Sequence, residues 1–273
     1  MTWLHVLVMG ATGAAAMRAA LERGDLDEAA RRGAIAGPAV VERALEAPDR
    51  LTRLAAIAAA PIVEDRAELL LALARVAGGA DRRTAIPAAG AARAIARELA
   101  SHDRPDDLTG DDLTTWQAAW AALAMRGDRW IELRILALDT AAALDHAGLG
   151  VDLAAALHDP DPAFRRAAAE IVPLPAPPAS YPALAGAITG DHDPDVARLA
   201  AQSLCLSLDP AGQGSGPILD ALGAAGLARL RALVIADPAS TASAIRDAAR
   251  CLAADGSAES AAALRTLRSP PSR

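Results

Sequence analysis

Two consecutive stretches of this chain repeat one pattern, and that repetition limits the possible folds more than any single residue does. In Leu153–Val172 (LAAALHDPDPAFRRAAAEIV) an apolar run ends in His158-Asp159-Pro160-Asp161-Pro162, and a second helical pattern starts at Phe164. In Leu184–Leu204 (LAGAITGDHDPDVARLAAQSL) the run ends in Asp191-His192-Asp193-Pro194 and restarts at Val196. Asp159, Phe164, Ala168 and Val172 each stand 32 residues before Asp191, Val196, Ala200 and Leu204. A helix-turn-helix unit of this size cannot bury its apolar face alone. Recurrence at a fixed period therefore means that neighbouring copies stack.

The composition supports helices throughout. Hydrophobic residues make up 53% of the chain but aromatics only 2%, and alanine dominates the apolar set. Small aliphatic side chains, without β-branched or aromatic residues alternating at period two, favour close-packed helices over a sheet. All 27 basic residues are Arg, and neither Lys nor Asn occurs. Without Lys there is no P-loop, no Schiff-base cofactor site and no kinase-type catalytic lysine. A formal net charge of −7 argues against a general nucleic-acid binder, which gathers basic residues to neutralise phosphates. Cys205 and Cys251 are too few for a disulfide framework or, by themselves, for a metal site. Both fall in helical patterns and read as small buried apolar side chains that leave the compartment undecided.

Residues 1–24 begin with an uncharged run, Leu4 to Ala16, that fits an apolar helix closing one end of the stack. A cleaved export signal is the alternative, although no basic residue precedes the run, and it is too short to span a bilayer. The expected location is cytoplasmic, or periplasmic if residues 1–16 act as a signal. Gly10-Ala11-Thr12-Gly13 looks like the glycine turn of a Rossmann domain, but helical stretches follow where a second strand is needed. Residues 25–100 then read as helical repeats punctuated by Gly24-Asp25, Pro38, Pro48-Asp49 and Gly78-Gly79. Pro87 marks a kink or the true start of its helix. Residues 101–112 form a polar joint, 113–268 the better-preserved repeats, and 269–273 a frayed tail.

On one register, five second helices carry an alanine four residues after a lead apolar residue. The leads are Leu51, Leu133, Phe164, Val196 and Ile245, and the alanines are Ala55, Ala137, Ala168, Ala200 and Ala249. A small residue there lets two helices approach closely. An Arg stands one or two places after each lead, and Asp128, Asp159 and Asp191 stand five before the central three, placed to accept from free N–H groups of the next helix. This pattern resembles HEAT repeats, particularly the short bacterial, PBS-lyase-like kind with a DPxxxVRxxAxxAL core, and Asp159–Val172 matches it best. The resemblance implies a right-handed α-solenoid of about six to seven antiparallel helix pairs, all-α, with a concave face that binds another protein or peptide. It further implies a ladder between Asp128, Asp159 and Asp191 and Arg134, Arg165 and Arg198, which the wavering Arg position interrupts.

Three His-Asp dipeptides, at His102, His158 and His192, fall in turns where Asp caps a helix, and further converging ligands are missing. The acidic run from Asp103 to Asp112 lacks calcium-loop spacing. No catalytic, metal or cofactor residue is assigned on these grounds. Trp116 and Trp120 share a helix face at i, i+4, and with Trp130 they are the candidate binding residues, set against a plain core role. The resulting expectation is a non-catalytic scaffold with a protein or peptide partner, no nucleic acid and no membrane span. A HEAT-scaffold enzyme of bilin-lyase type is the alternative.

Overall fold

The computed structural model describes residues 3–101, 110–145, 152–208, 215–236 and 243–268. Every regular element among them is helical. They fall into two compact units, Met1–Val151 and Asp152–Arg273. The first holds α1 (Trp3–Glu22), α2 (Leu26–Ala36), α3 (Pro38–Leu45), α4 (Arg50–Ala59), α5 (Leu70–Ala77), α6 (Arg82–Ser101), α7 (Gly110–Ala124) and α8 (Ile131–Leu144). The second holds α9 (Leu153–Leu157), α10 (Pro162–Glu170), α11 (Tyr181–Gly190), α12 (Pro194–Leu206), α13 (Gly216–Ala236), α14 (Ser243–Asp255) and α15 (Ala258–Arg268).

The packing order makes each unit a stack. In the first unit α1 packs on α2, α3 on α4, α5 on α6 and α7 on α8. First helices then touch first helices (α1–α3, α3–α5, α5–α7), and second helices touch second helices (α2–α4, α4–α6, α6–α8). The second unit repeats the scheme through α9–α11–α13–α15 and α10–α12–α14. Contact between elements two apart in sequence is the signature of a stacked α-helical repeat, because each pair buries one face on the pair before and another on the pair after.

Local sequence explains where the helices begin. Gly24, at φ 77, turns the chain out of α1, and the Asp25 carboxylate then accepts from the Glu28 N–H at 2.9 Å to cap α2. Pro38 opens α3, where a missing N–H costs nothing. Asp49, Asp161 and Asp193 cap α4, α10 and α12 through their side chains. Pro87 lies inside α6, which starts at Arg82. Helix α13 is broken at Gly223, whose φ of 54 and ψ of −171 interrupt the helical ladder.

Glycine also sets how closely helices of the first unit approach. Gly10 and Gly13 lie within α1 and form no phosphate-binding turn. A Cβ on Gly13 would stand 2.8 Å from Ala36 Cβ, and one on Gly33 would stand 2.0 Å from Ala59 Cβ. Such gaps are below any real carbon–carbon contact, so α2 packs on α4 at a distance that Gly33 alone permits.

Two sequence expectations are corrected here. Cys205 and Cys251 are buried, as expected, but they are joined in a disulfide between α12 and α14, with Cα atoms 5.4 Å apart. Their 46-residue separation conceals the pairing, which arises because second helices of successive repeats lie side by side. The other correction concerns register. Counting from the N-cap residues Asp49, Asp81, Trp130, Asp161 and Asp193, the third position is Thr52, Thr84, Leu133, Phe164 and Val196, and the seventh is Ala56, Ala88, Ala137, Ala168 and Ala200. All ten are buried. The central pairings therefore hold, whereas the lead at the first copy is Thr52 and not Leu51, which is half-buried. At the last copy the lead Ile245 is buried, but the buried alanine is Ala248, three residues on, and Ala249 is half-buried. A polar lead residue had hidden the true phase at Thr52.

Candidate functional site

The cap register brings a set of Arg and Asp side chains to the turn between the two helices of each pair. In the second unit, Arg165 stands four residues after its cap Asp161. Its Nη1 donates to the carbonyls of Asp159 (2.8 Å) and Pro160 (3.2 Å), holding its own turn. Its Nε and Nη2 donate to the two carboxylate oxygens of Asp191 in the next repeat, at 2.7 and 3.0 Å. This fork-on-fork geometry is the strong form of the pair. Asp191 also accepts from the Asp193 N–H at 2.8 Å, and Asp159 accepts from the Asp161 N–H at 2.9 Å. Asp159 and Asp191 thus fold the turn from two residues before the cap, and Asp161 and Asp193 do the capping. The expectation that Asp159 and Asp191 cap the second helices is corrected accordingly.

Beside this pair, Arg166 donates to Asp193 at 3.0 Å, a second rung. Burial raises the Asp191 carboxyl, but the Arg165 guanidinium and the Asp193 N–H outweigh it and hold Asp191 below the usual carboxylate range. Asp193 is lowered in the same way, against its burial, by the Asp195 N–H and Arg166. Among the described residues Arg198 reaches no later repeat. It donates to the Pro194 carbonyl and pairs with Asp195 in its own first turn. The position equivalent to Arg165 in α12 is Ala197, fully buried, so the rung that would point onward is absent there.

The first unit builds the same joint with different outer contacts. Arg53, four after its cap Asp49, donates from Nη1 to the carbonyls of Ala47 (2.7 Å) and Pro48 (2.8 Å). Its link to the next repeat is looser, Nη2 lying 3.9 Å from Asp81. Arg134 holds the equivalent place in α8, is buried, and donates from Nε to the Ala124 carbonyl at 2.9 Å. Asp128 is engaged by Arg126, which lowers its carboxyl pKa through their hydrogen bond. Arg129 reaches back to the Gly78 and Gly79 carbonyls at 2.7 and 3.1 Å, satisfying the C-terminal end of α5.

Open clefts lie over these joints. One of about 350 Å³ is lined by His158, Asp159, Pro160, Arg165, Gly186, Asp191 and His192, and its counterpart of about 420 Å³ by Pro48, Arg53, Arg75, Asp81 and Thr84. A third, about 350 Å³, runs between α5 and α7 over Leu71, Ala74, Ala119, Ala122 and Leu123. His158 and His192 are exposed at the rim of the first cleft, and His158 donates from Nδ1 to the Ala154 carbonyl at 2.7 Å. Chemically, the floor of this cleft is a completed ion pair whose guanidinium faces four acceptors, so it presents no unsatisfied charge to a ligand. No group of three or more His, Cys, Asp or Glu among the described residues could hold a metal ion. His102 and Asp103 lie outside the described residues.

The tryptophans divide. Trp116 and Trp120 face inward from α7 and are buried, Trp120 completely, with its indole N–H enclosed and no acceptor among the described residues. Trp130 is half-buried at the cap position of α8. The i, i+4 spacing placed the first two on one face correctly, but the face is the core one. Asp193, of the His192-Asp193 dipeptide read as a capping turn, does cap α12; what sequence reading missed were the cap Asp161, visible as Asp-Pro before α10, and the rung Arg166–Asp193.

No family model matches this chain, and no curated protein matches it. Among solved structures it is similar to Kap121p, with 17% identity over 78% of this chain and 26% of that one, at a TM-score of 0.45. A mutant of Kap121p gives 15% identity, 83% and 28% coverage, and a TM-score of 0.44. An engineered protein gives 15% identity over 97% of this chain and 94% of its own, at a TM-score of 0.38. The chain therefore spans about a quarter of the length of Kap121p. No helix among the described residues is long and apolar enough to cross a membrane.

Proposed function

We propose that this chain is a non-catalytic scaffold of the short, PBS-lyase-like HEAT kind, and that it binds a protein or peptide along the exposed faces of its second helices. The observation that carries this reading is the bracing of second helix to second helix. Arg82 pairs with Glu132, and Arg93 and Arg97 with Asp139, between α6 and α8. In the second unit Arg165 and Arg166 tie α10 to the turn before α12, and Ser203 donates from α12 to the Ala169 carbonyl at 3.1 Å. A surface whose helices are fixed before a partner arrives loses little conformational entropy on binding, which favours recognition. Trp130, the indole with exposed surface, is the aromatic contact within this reading. Trp116 and Trp120 act through packing.

The test is capture of the partner by the full chain carrying blocking substitutions. Ala94→Arg on α6 and Glu170→Arg on α10 alter exposed second-helix positions, whereas Ala118→Arg and Ala155→Arg alter exposed first-helix positions. Loss of the partner in the first set and retention in the second is the expected result. The opposite pattern places the binding face on the first helices, and capture unchanged in all four defeats the proposal.

A further inference from the structure

The contact between α12 and α14 contains few large side chains. Among the described residues α14 buries Ile245, Ala248, Cys251 and Leu252, and α12 offers Ala200, Ala201, Leu204 and Cys205. Polar ties lie beside them: Arg250 donates to the Leu208 carbonyl at 3.2 Å, and Asp247 hydrogen-bonds Gln202. Alanine-rich faces bring helices close but contribute little apolar area per residue. The Cys205–Cys251 bond crosses this close, alanine-rich contact near the C-terminal end of α12, with both residues fully buried.

We infer that this disulfide is a structural fastener for the last helix pair, so that the chain completes its fold in an oxidising compartment. Burial gives the bond its character. A sulfur that no thiolate can approach is not exchanged while the helices stay packed, so the bond acts as a permanent part of the folded unit and not as a surface switch. Formation belongs to assembly. One cysteine thiolate attacks a disulfide oxidant and releases a thiolate from it. The second cysteine thiolate then attacks the mixed disulfide, closing Cys205–Cys251 and releasing the oxidant as a dithiol. The chain loses two electrons and two protons, and the oxidant gains them. Stable bonds of this kind belong to secreted, periplasmic or similarly oxidising settings and are rare where glutathione and thioredoxin keep thiols reduced.

The experiment uses the full chain in two forms. Protein from the cells that naturally make it is trapped in acid and treated with iodoacetamide. Neither cysteine should be alkylated until the chain has been both unfolded and reduced; two free thiols in the trapped protein would overturn the inference. Hydrogen exchange is then compared among oxidised wild type, wild type refolded with excess dithiothreitol, and Cys205→Ser/Cys251→Ser. Breaking the link is expected to speed exchange across residues 243–268 by roughly tenfold or more while residues 3–101 keep their rates. Equal exchange in reduced and oxidised wild type means that the bond fastens nothing. If the double variant fails to fold, the reduced wild type gives that reading directly.

Discussion

The two units use one turn design and hold their repeats together by different means. In each, an Arg four residues after the cap grips two carbonyls of its own turn, through Arg53 in one and Arg165 in the other. The contrast lies in the acid of the next repeat. Asp191 stands two residues before its cap, has a side chain only 5% exposed, and faces both remaining guanidinium nitrogens. Asp81 is itself the cap, gives its carboxylate to the Arg83 N–H, and is 38% exposed with Arg53 at 3.9 Å. Asp81 uses its carboxylate chiefly at its own helix start, whereas Asp191, two residues ahead of its cap, is placed squarely against Arg165. The first unit braces α6 to α8 through Arg82 on Glu132 and Arg93 and Arg97 on Asp139, and adds close packing, in Gly33 against Ala59 and in the buried Trp120. The second adds the fork and a covalent bond.

The largest expected effect breaks the packing side of this contrast. Trp120→Ala should destabilise the first unit by about 3–5 kcal/mol, the usual cost of emptying a large aromatic site, with the second unit's exchange protection unchanged. Gly33→Ala should cost about 1–3 kcal/mol through overpacking against Ala59. Both are read as shifts in the denaturant midpoint of the first unit, and a silent Gly33→Ala would mean that α2 and α4 can move apart without penalty.

Next comes the polar side. Asp191→Ala leaves Arg165 without its partner and should cost the second unit about 3 kcal/mol. Asp81→Ala should cost the first about 1 kcal/mol, chiefly as a lost cap. A double-mutant cycle separates pair from cap. Coupling near zero to about 1 kcal/mol is expected for Arg53 with Asp81, as for partly exposed pairs, and a clearly larger value for Arg165 with Asp191. Equal couplings would erase the distinction.

Acid should sharpen it further. The Asp191 carboxyl is held below its ordinary value of 3.8, so its stabilising contribution is complete above that value and disappears as pH falls through the lower folded one. Melting the second unit from about pH 6 to about pH 2.5 should show this loss, and Asp191→Asn should remove that share of the acid dependence. The smallest effect is that of salt. At about 1 M ionic strength screening acts within roughly 3 Å, so the Arg53–Asp81 contribution should fade while the sheltered fork persists.

Much of this was legible from residue order. Helix starts followed from Asp25, Pro38 and Asp49, and the stacking of pairs followed from the spacing between Phe164 and Val196. The register failed at Leu51 because the buried lead there is Thr52, a polar residue that an apolar search passes over. Before α10 the cap was placed two residues early, because Asp159-Pro160-Asp161-Pro162 offers two carboxylates and only backbone geometry shows which one meets the helix.

Periodicity and composition alone determined that this chain is all helix and that its pairs must stack, because an amphipathic pair with an alanine-rich face has no other way to leave water. Tertiary structure decided which side chains meet across the stack. Trp116 and Trp120 turned inward, Arg165 found Asp191, and Cys205 found Cys251, each pairing set by how one repeat is seated on the next. Local sequence encodes the face of a helix; the neighbour that covers the face is fixed only when the repeats close on one another.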